Sequence, residues 1–231
     1  MASWMVHLRI ADILLGKWED VSPREFVMGS IAPDSGVPNE DWTAYSPDSR
    51  VTHFRITGED GSSVIRTESI RAFADRYFNR SLREGYTKKE YAFFLGYWAH
   101  LIADVEWAQK VYRPSTNKFN EEFARDKQNL IRAMKRDWYD LDALYLKKHP
   151  DFRAFAVYEQ AEGFVNRYMD IFSRDAFDLR RKYVVDFYRR EMQKEDLERE
   201  YVYLTEAEAD AFTERTAEII QEKFAVMGKS A

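Results

Sequence analysis

Apolar residues recur at intervals of three and four along most of the chain, which is the spacing of helices with one buried face. The pattern predicts helices over residues 5–16, 22–29, 66–82, 88–111, 117–147, 151–172, 173–195 and 205–227. Stretches that alternate apolar and polar residues, as half-buried strands do, are nearly absent. The pattern therefore predicts an all-α fold, a single-domain multi-helix bundle over residues 1–231 with at most a short strand pair.

Capping sequences mark several of the predicted helix starts. They are Ser22-Pro23 with Glu25, Thr87 with Glu90, Asn117, and Thr205 with Glu208. Each places a Ser, Thr or Asn oxygen where it can accept a hydrogen bond from the free backbone N–H groups of a first helical turn.

The N-terminal loop region, residues 30–65, differs from the rest of the chain. Turn-forming residues are concentrated at 30–39, 47–49 and 58–61. A structureless connection of this length is uncommon in a compact domain and is usually functional or disordered. Because this one carries two candidate site residues, Asp34 and His53, we expect it to be functional.

Composition excludes several classes of function. Lys and Arg total 35 against 40 Asp and Glu, a formal charge of −5, so stable nucleic-acid binding is not expected. The chain has no cysteine, which excludes disulfides and cysteine-based zinc sites. Any metal must be held by His, Asp, Glu, amide or backbone atoms.

The sequence predicts no membrane span, because no run of about 18 apolar residues occurs. The N-terminal apolar stretch is broken by His7, Arg9 and Asp12, so we predict no secretory signal. A cytoplasmic location is therefore expected.

Five residues carry the candidate chemistry: His7, Asp34, His53, His100 and Asp104. They include three of the four histidines. His100 and Asp104 lie four residues apart on a predicted helix, so both side chains project from one face and can hold one ion.

The helix that carries this pair is rich in aromatic residues, namely Phe93, Phe94, Tyr97, Trp98 and Trp107. We interpret them as core packing rather than as a substrate box. Burying a histidine and an aspartate among them costs roughly several kcal/mol of folding free energy, unless the two are paired with each other or bound to a metal.

Taken singly, each candidate has an ordinary structural explanation. His7 can be a buried histidine bonded to a carbonyl, and His53 can fill a polar niche at the end of the loop. Asp34 can stabilise a turn, and His100 with Asp104 can be a helical pair at the surface. Their coincidence with the unusual loop favours a metal site. The fourth histidine, His149, precedes Pro150 and is interpreted as a capping or exposed residue.

Four stretches together resemble the zinc-dependent phospholipase C family, whose fold is similar to that of the P1-type nucleases. They are SWMVHL at residues 3–8, GSIAPD at 29–34, THF at 52–54 and GYWAHLIAD at 96–104. The resemblance covers roughly residues 1–110, and it implies a buried zinc cluster that hydrolyses phosphodiesters.

The resemblance also implies a role for each candidate. Asp34, His53, His100 and Asp104 would hold one zinc ion, and His7 would contribute to a second that shares Asp104. A metal-bound hydroxide would attack the phosphodiester, with Asp34 and Asp104 as catalytic residues. The expected substrate is a small phosphate ester or a phospholipid headgroup. One or two zinc ions are expected, although iron and manganese also suit these ligands.

The chain departs from the family at two points. Trp4, the nearest match to a metal-binding N-terminal tryptophan, is internal. Only His149 follows Asp104, so a third metal site is either absent or rebuilt from carboxylates. The candidates are Asp137, Asp140, Asp142, Glu159 and Glu162.

Two alternatives stay open for function. One is a helical metal-binding or ligand-binding protein that keeps a degenerate site, and the other is a nucleotide phosphohydrolase, against which the missing His-Asp dipeptide argues. Basic residues at 180–182 and 189–190, and the pair Arg132 and Arg136, are interpreted as solvated helix faces, with phosphate binding as the alternative.

Overall fold

The computed structural model of the protein describes residues 1–41, 43–57 and 63–229. Its helices are α1 (Trp4–Leu15), α2 (Pro23–Ile31), α3 (Ser49–Thr52), α4 (Thr67–Phe73), α5 (Arg80–Gly85), α6 (Lys88–Trp107), α7 (Arg113–Lys118), α8 (Asn120–Arg125), α9 (Lys127–Lys148), α10 (Arg153–Glu159), α11 (Ala176–Glu191) and α12 (Glu206–Lys229). A 3₁₀ turn follows α2 at Ala32–Asp34, and π-helical turns lie at Ala74–Phe78 and Ala108–Tyr112. The predicted all-α fold is confirmed.

Two short antiparallel strand pairs lie in the N-terminal loop region. Strand β1 (Val37–Pro38) pairs with β2 (Tyr45–Ser46), and β3 (Ile56–Thr57) pairs with β4 (Ser63–Val64). The described residues therefore contain two short strand pairs, where the sequence predicted at most one. The predicted turn at residues 58–61 lies outside the described residues.

Helix α6 forms the centre of the core, and its residues 92–105 are all buried. The five aromatic residues predicted to pack in the core do so. The backbones of α2 and α6 are in contact where the helices cross, and glycine residues permit this contact. A Cβ on Gly29 would come within 2.1 Å of the Phe93 carbonyl oxygen. A Cβ on Gly96 would come within 2.2 Å of the Phe26 carbonyl oxygen. This close crossing holds the end of α2 directly against α6.

Helix α1 is enclosed by the C-terminal helices. Its Met5 N–H donates to the Tyr188 hydroxyl of α11 at 3.2 Å, and its Arg9 pairs with Asp210 of α12. His7 is buried on the same helix and stacks on His100 of α6. None of the described helices combines the length and apolar character needed to span a bilayer.

Capping residues explain several helix boundaries. Thr87 with Glu90 and Thr205 with Glu208 form reciprocal hydrogen bonds at the starts of α6 and α12, as predicted. Asn117 was predicted as a cap, and this is wrong because it lies inside α7.

Two predicted helices are interrupted by residues that cap the helix that follows. The helix predicted at 66–82 breaks at Asn79, whose side chain accepts a hydrogen bond from Leu82 N at 3.1 Å. The helix predicted at 117–147 breaks at Asp126, whose carboxylate accepts from Asn129 N at 3.0 Å and caps α9.

The helix predicted at 151–172 is wrong beyond Glu159. Gly163 adopts a φ of +70°, which breaks the helix, and Asn166 then satisfies the irregular backbone with its own side chain. The Asn166 oxygen accepts from Met169 N at 3.1 Å, and its amide donates to the Phe172 carbonyl at 2.9 Å. The apolar residues here reach the core without forming a helix, so their spacing was misleading.

Candidate metal centre

All five candidate residues converge on one buried cluster. His7 comes from α1, Asp34 from the turn after α2, His53 from the residue after α3, and His100 and Asp104 from α6. Two overlapping triplets, His7/His100/Asp104 and Asp34/His53/His100, each bring their ligand atoms within 4.8 Å of one another. The sequence predicted this set, and the fold brings its members together.

Four of these residues form what we term the four-donor group: Asp34, His53, His100 and Asp104. The His53 Nε2 atom lies 3.2 Å from His100 Nε2, 3.3 Å from Asp34 Oδ1 and 3.5 Å from Asp104 Oδ2. His100 Nε2 lies 3.7 Å from Asp104 Oδ2. Ligands at about 2.0–2.1 Å around a tetrahedral zinc ion are separated by roughly 3.3–3.4 Å. The side chains present therefore fit the metal that the family name implies.

Backbone carbonyls orient the two imidazoles of the four-donor group. His100 Nδ1 lies 2.8 Å from the Ser30 carbonyl oxygen, and His53 Nδ1 lies 3.2 Å from that of Ser49. Because a carbonyl oxygen only accepts, we assign the proton of each imidazole to Nδ1, with the Thr52 hydroxyl 2.9 Å from His53 Nδ1 as a second acceptor, and each Nε2 then carries a lone pair. Two lone pairs therefore face each other at 3.2 Å. This arrangement is repulsive unless a cation lies between them.

Electrostatics keep the cluster in the protonation state that metal binding requires. Burial lowers the pKa of His100 to about 3, and the neighbouring His7 acts in the same direction. Burial alone would raise the pKa of Asp34, but the adjacent His53 side chain and the charge interaction with His100 hold that pKa well below its ordinary value. Neutral imidazoles and ionised carboxylates are the forms that bind a metal.

Asp104 is held ionised in a similar way. Burial would raise its pKa, but the charge of the chain's amino-terminal ammonium and the electrostatic effect of His7 and His100 outweigh it, so the pKa lies well below the ordinary value. Its Oδ1 accepts from the Ala2 N–H at 2.8 Å. Its Oδ2, which faces His53 and His100, has no hydrogen-bond partner among the described residues.

His7 and Asp104 form a second, smaller set, which we term the two-donor group. The His7 ring stacks on that of His100 with centroids 3.7 Å apart, and His7 Nε2 lies 3.6 Å from Asp104 Oδ1. Within the described ranges neither ring nitrogen of His7 has a hydrogen-bond partner. Buried polar atoms without partners are costly, and a cation bound at this point would remove that cost.

The turn that presents His53 is anchored by two residues whose part in the site the sequence did not reveal. The Tyr97 hydroxyl of α6 donates to the Thr52 carbonyl. Phe54 adopts a φ of +51°, a left-handed conformation uncommon outside glycine, and turns the chain immediately after His53. No local pattern marks either residue, because both act through contacts that are distant in sequence or through backbone conformation.

The carboxylates predicted for a third metal site have other partners, and within the described part of the chain no further ligand cluster forms. The partners are Arg199 for Asp137 and Asp140, the hydroxyls of Ser3 and Tyr188 for Asp142, and Arg189 for Glu159, whereas Glu162 is exposed. Of the two possibilities, an absent or a rebuilt third site, these contacts favour an absent one. His149 is exposed and stacks on Tyr145, as expected of a residue at a helix end.

A cavity of about 440 Å³ reaches the four-donor group at Asp34. Trp4 and Arg180 line this cavity. The interpretation of residues 180–182 as a solvated face is wrong in part, because Arg180 and Arg181 are buried. A larger groove of about 760 Å³ between α7 and α12 contains none of the five candidate residues.

One comparison, with the models of known protein families, agrees with this geometry. The model of the family described as zinc dependent phospholipase C matches residues 6–129, which include all five candidates and more than half of the chain. A portal protein of Acyrthosiphon pisum secondary endosymbiont phage 1 is 25% identical over 124 residues, covering 51% of this chain but only 17% of the portal protein. No solved structure matches the chain. The chain belongs to the zinc-dependent phospholipase C family.

Proposed function

We propose that this protein is a zinc-dependent hydrolase of phosphoric esters that cleaves a phosphodiester, with the four-donor group as its metal site. One observation carries the proposal: the Nε2 lone pairs of His53 and His100 face each other at 3.2 Å while backbone carbonyls fix both Nδ1 protons. A divalent cation removes that repulsion, and the two buried carboxylates neutralise its charge.

The position of each cluster residue suggests its chemical role. Zinc bound there would supply Lewis acidity toward a phosphoryl oxygen and bring the pKa of a bound water near neutrality. Asp34 lies between the four-donor group and the cavity, so its ionised carboxylate can orient the attacking water and accept its proton. Asp104 presents Oδ2 to the four-donor group and Oδ1 to His7, which suits a carboxylate shared with a second ion.

The substrate is proposed to be a small phosphate ester or a phospholipid headgroup that enters the cavity beside Asp34. We also propose that residues 1–231 act as one domain, since α11 and α12 hold the helix that carries His7. The cytoplasmic location expected from the sequence stays a prediction.

The test combines metal analysis with turnover. We expect the purified protein to contain at least about one equivalent of a divalent metal, since the four-donor group matches one zinc sphere. The double substitution His100→Ala with Asp104→Ala should remove it, and His149→Ala, which changes an exposed histidine, should not. Hydrolysis of bis(p-nitrophenyl) phosphate should stop with a chelator and return with added zinc. Unchanged metal content in the double variant would contradict the proposal.

The two-donor group favours one alternative, a protein that binds metal without turnover. His7 and Asp104 supply only two ligands for a second ion within the described residues. That alternative predicts one firmly held metal ion and no hydrolysis across a panel of diesters and monoesters, so the same experiments separate the two.

A further inference from the structure

The cavity beside Asp34 has an excess of cationic side chains. Arg55, Lys135 and Arg180 line it, and Asp34 is the only carboxylate among the described residues that do. Since Asp34 is assigned to the metal, no other lining residue among those described offsets these cations. Arg55 does interact electrostatically with Asp48, but that carboxylate is partly exposed and lies outside the cavity lining. Its volume of about 440 Å³ lies within the range of small-molecule sites, which is roughly 300–1,000 Å³.

Arg180 differs from the other buried arginines. Three arginines are buried in the described structure: Arg9, Arg180 and Arg181. Arg9 pairs with Asp210, and Arg181 pairs with Asp178 at 2.7 Å. Arg180 is 8% exposed and donates to the Gly36 carbonyl at 2.8 Å, but it has no carboxylate partner in the described ranges. A buried guanidinium without a counter-anion is unfavourable, so an anion is expected to complete it.

The position of Arg180 also argues against a cationic ligand. Its guanidinium carbon lies 5.6 Å from the ring centroid of Trp4, 5.4 Å from that of Tyr183 and 6.0 Å from that of Tyr45. These are distances at which a cation interacts with an aromatic face. A quaternary ammonium group would need the same faces, so the protein's own guanidinium competes with it.

Two unused hydrogen-bond donors belong to residues that line the same cavity. Arg55 Nε and Trp138 Nε1 are buried without a hydrogen-bond partner among the described residues. Trp138 is only 5% exposed. Neither Arg55 nor Lys135 takes part in an ion pair with another described residue. Donors and cations without acceptors around one cavity are the arrangement that binds a phosphate or a carboxylate.

We propose that this cavity is a subsite for an anionic group carried by the substrate's headgroup, in addition to the scissile phosphodiester. Arg55, Lys135 and Arg180 bind that group as a phosphate or carboxylate, and a choline headgroup is disfavoured. The inference rests on the proposed function, because the cavity meets the four-donor group at Asp34. A lipid headgroup and a soluble phosphodiester can both carry such a group.

Binding is tested first, because it does not depend on turnover. Glycerol 3-phosphate is titrated into the purified full-length chain, and tryptophan fluorescence is followed because Trp4 and Trp138 line the cavity. Choline and glycerol serve as the cationic and neutral probes. We expect Arg55→Gln and Lys135→Gln to weaken glycerol 3-phosphate binding by about tenfold or more, as for a lost charge-assisted contact.

Matched controls separate the subsite from general charge and from the metal. Arg132→Gln on α9 and Lys182→Gln on α11 remove an exposed cation outside the cavity, so binding should stay at the wild-type level. Phosphate held by the metal alone would respond equally to Arg55→Gln and Arg132→Gln. Equal affinities in those two variants would overturn the subsite. Arg55 and Lys135 have no ion-pair partners to lose, so both variants are expected to fold.

Turnover then identifies the source of the ligand. One arm uses soluble phosphodiesters in which one phosphate joins p-nitrophenol either to 3-phosphoglycerol or to choline. The other arm uses lipid, and compares vesicles of phosphatidylinositol 4-phosphate in phosphatidylcholine with vesicles of phosphatidylcholine alone. We expect about a tenfold preference in kcat/KM for the anionic headgroup in one arm, which Arg55→Gln reduces toward parity. A choline ester cleaved as well or better in both arms overturns the subsite. Phosphate binding that depends on Arg55 without any turnover would instead count against the hydrolase.

Discussion

Two buried aspartates, Asp104 on α6 and Asp142 on α9, show how environment decides the fate of the same side chain. Asp142 accepts hydrogen bonds from the Ser3 hydroxyl at 2.9 Å and from the Tyr188 hydroxyl at 2.7 Å, and burial still raises its pKa to about 7. Asp104 has one amide donor on Oδ1, yet its pKa lies well below the ordinary value.

The difference lies in what faces each carboxylate. Asp142 faces two hydroxyl donors and needs nothing further. Asp104 Oδ2 faces imidazole nitrogens at 3.5 Å and 3.7 Å whose protons are committed elsewhere. Acceptors that face acceptors in a dry interior require a cation. Buried acidity alone would therefore not identify a metal site, whereas the orientation of the neighbouring lone pairs does.

The most direct way to break this comparison is to replace each aspartate with asparagine. We expect Asp104→Asn to weaken zinc binding by at least about 100-fold, since even residues behind a ligand affect affinity by roughly 10–100-fold. Asp142→Asn should leave zinc binding unchanged. The measurement is a competition titration against a chromogenic chelator. Equal losses in the two variants would mean that burial, rather than orientation, explains the cluster.

A second way to test the comparison is a substitution that forces α2 away from α6. In Gly96→Ala the new Cβ would lie 2.2 Å from the Phe26 carbonyl oxygen, so the helices must move apart and carry the Ser30 carbonyl away from His100. We expect a loss of about 1–3 kcal/mol in the free energy of unfolding, as for an overpacked core, together with weaker zinc binding. Urea denaturation and the same chelator titration measure both.

Gly85→Ala is the matched control for this substitution, because a Cβ at Gly85 meets nothing within 4 Å. Its stability and zinc affinity should stay near those of the wild type. The groups that surround Asp142 on α9 come from the start of α1 and from α11, not from α2 or α6. Gly96→Ala should therefore leave the pKa of Asp142 unchanged. Gly96→Ala with normal zinc affinity would show that the crossing does not position His100.

The five cluster residues could be predicted because metal chemistry restricts the residue types and because His100 and Asp104 lie on one helix. The crossing of α2 and α6 could not. Gly29 was interpreted as a helix end, since one helix pattern does not reveal a partner that touches its backbone. In the structure α2 continues to Ile31.

The burial of Arg180 could not be predicted from the sequence either. A charge on a helix ordinarily faces water, so residues 180–182 predicted a solvated surface. Only the fold shows that Arg180 faces a cavity formed by the N-terminal loop region and α9. Residues 160–175 were misjudged for a related reason, because apolar residues in an irregular segment can be buried at helix-like intervals.

The pH dependence of stability sharpens the comparison further. Because the pKa of Asp142 is raised to about 7, the folded state retains its proton at a pH where the unfolded chain has lost it. The stability that this proton confers is complete below the ordinary carboxyl pKa and is lost as the pH rises toward about 7. We expect the wild type to lose about 2 kcal/mol relative to Asp142→Asn between about pH 5 and about pH 7.

Urea denaturation of both proteins across that range measures this difference. Asp104 acts with the opposite sign, because its pKa is lowered, and its contribution disappears only on acidification below the ordinary carboxyl range. Parallel curves for the wild type and Asp142→Asn would mean that the Ser3 and Tyr188 hydroxyls keep Asp142 ionised despite its burial.

The smallest expected effect comes from Tyr97, which supports the cluster without belonging to it. Tyr97→Phe removes the hydroxyl that donates to the Thr52 carbonyl, next to His53, and keeps the ring. We expect about 1 kcal/mol of destabilisation and roughly tenfold weaker zinc binding, because His53 loses its anchored turn. Tyr168→Phe is the control: its ring also packs on α6, against Phe93, but its hydroxyl makes no hydrogen bond within the described residues. Chelator titration measures the zinc affinity of both variants. If the Tyr97 hydroxyl orients His53, only Tyr97→Phe weakens zinc binding, whereas wild-type affinity in both variants would mean that His53 does not need this hydrogen bond.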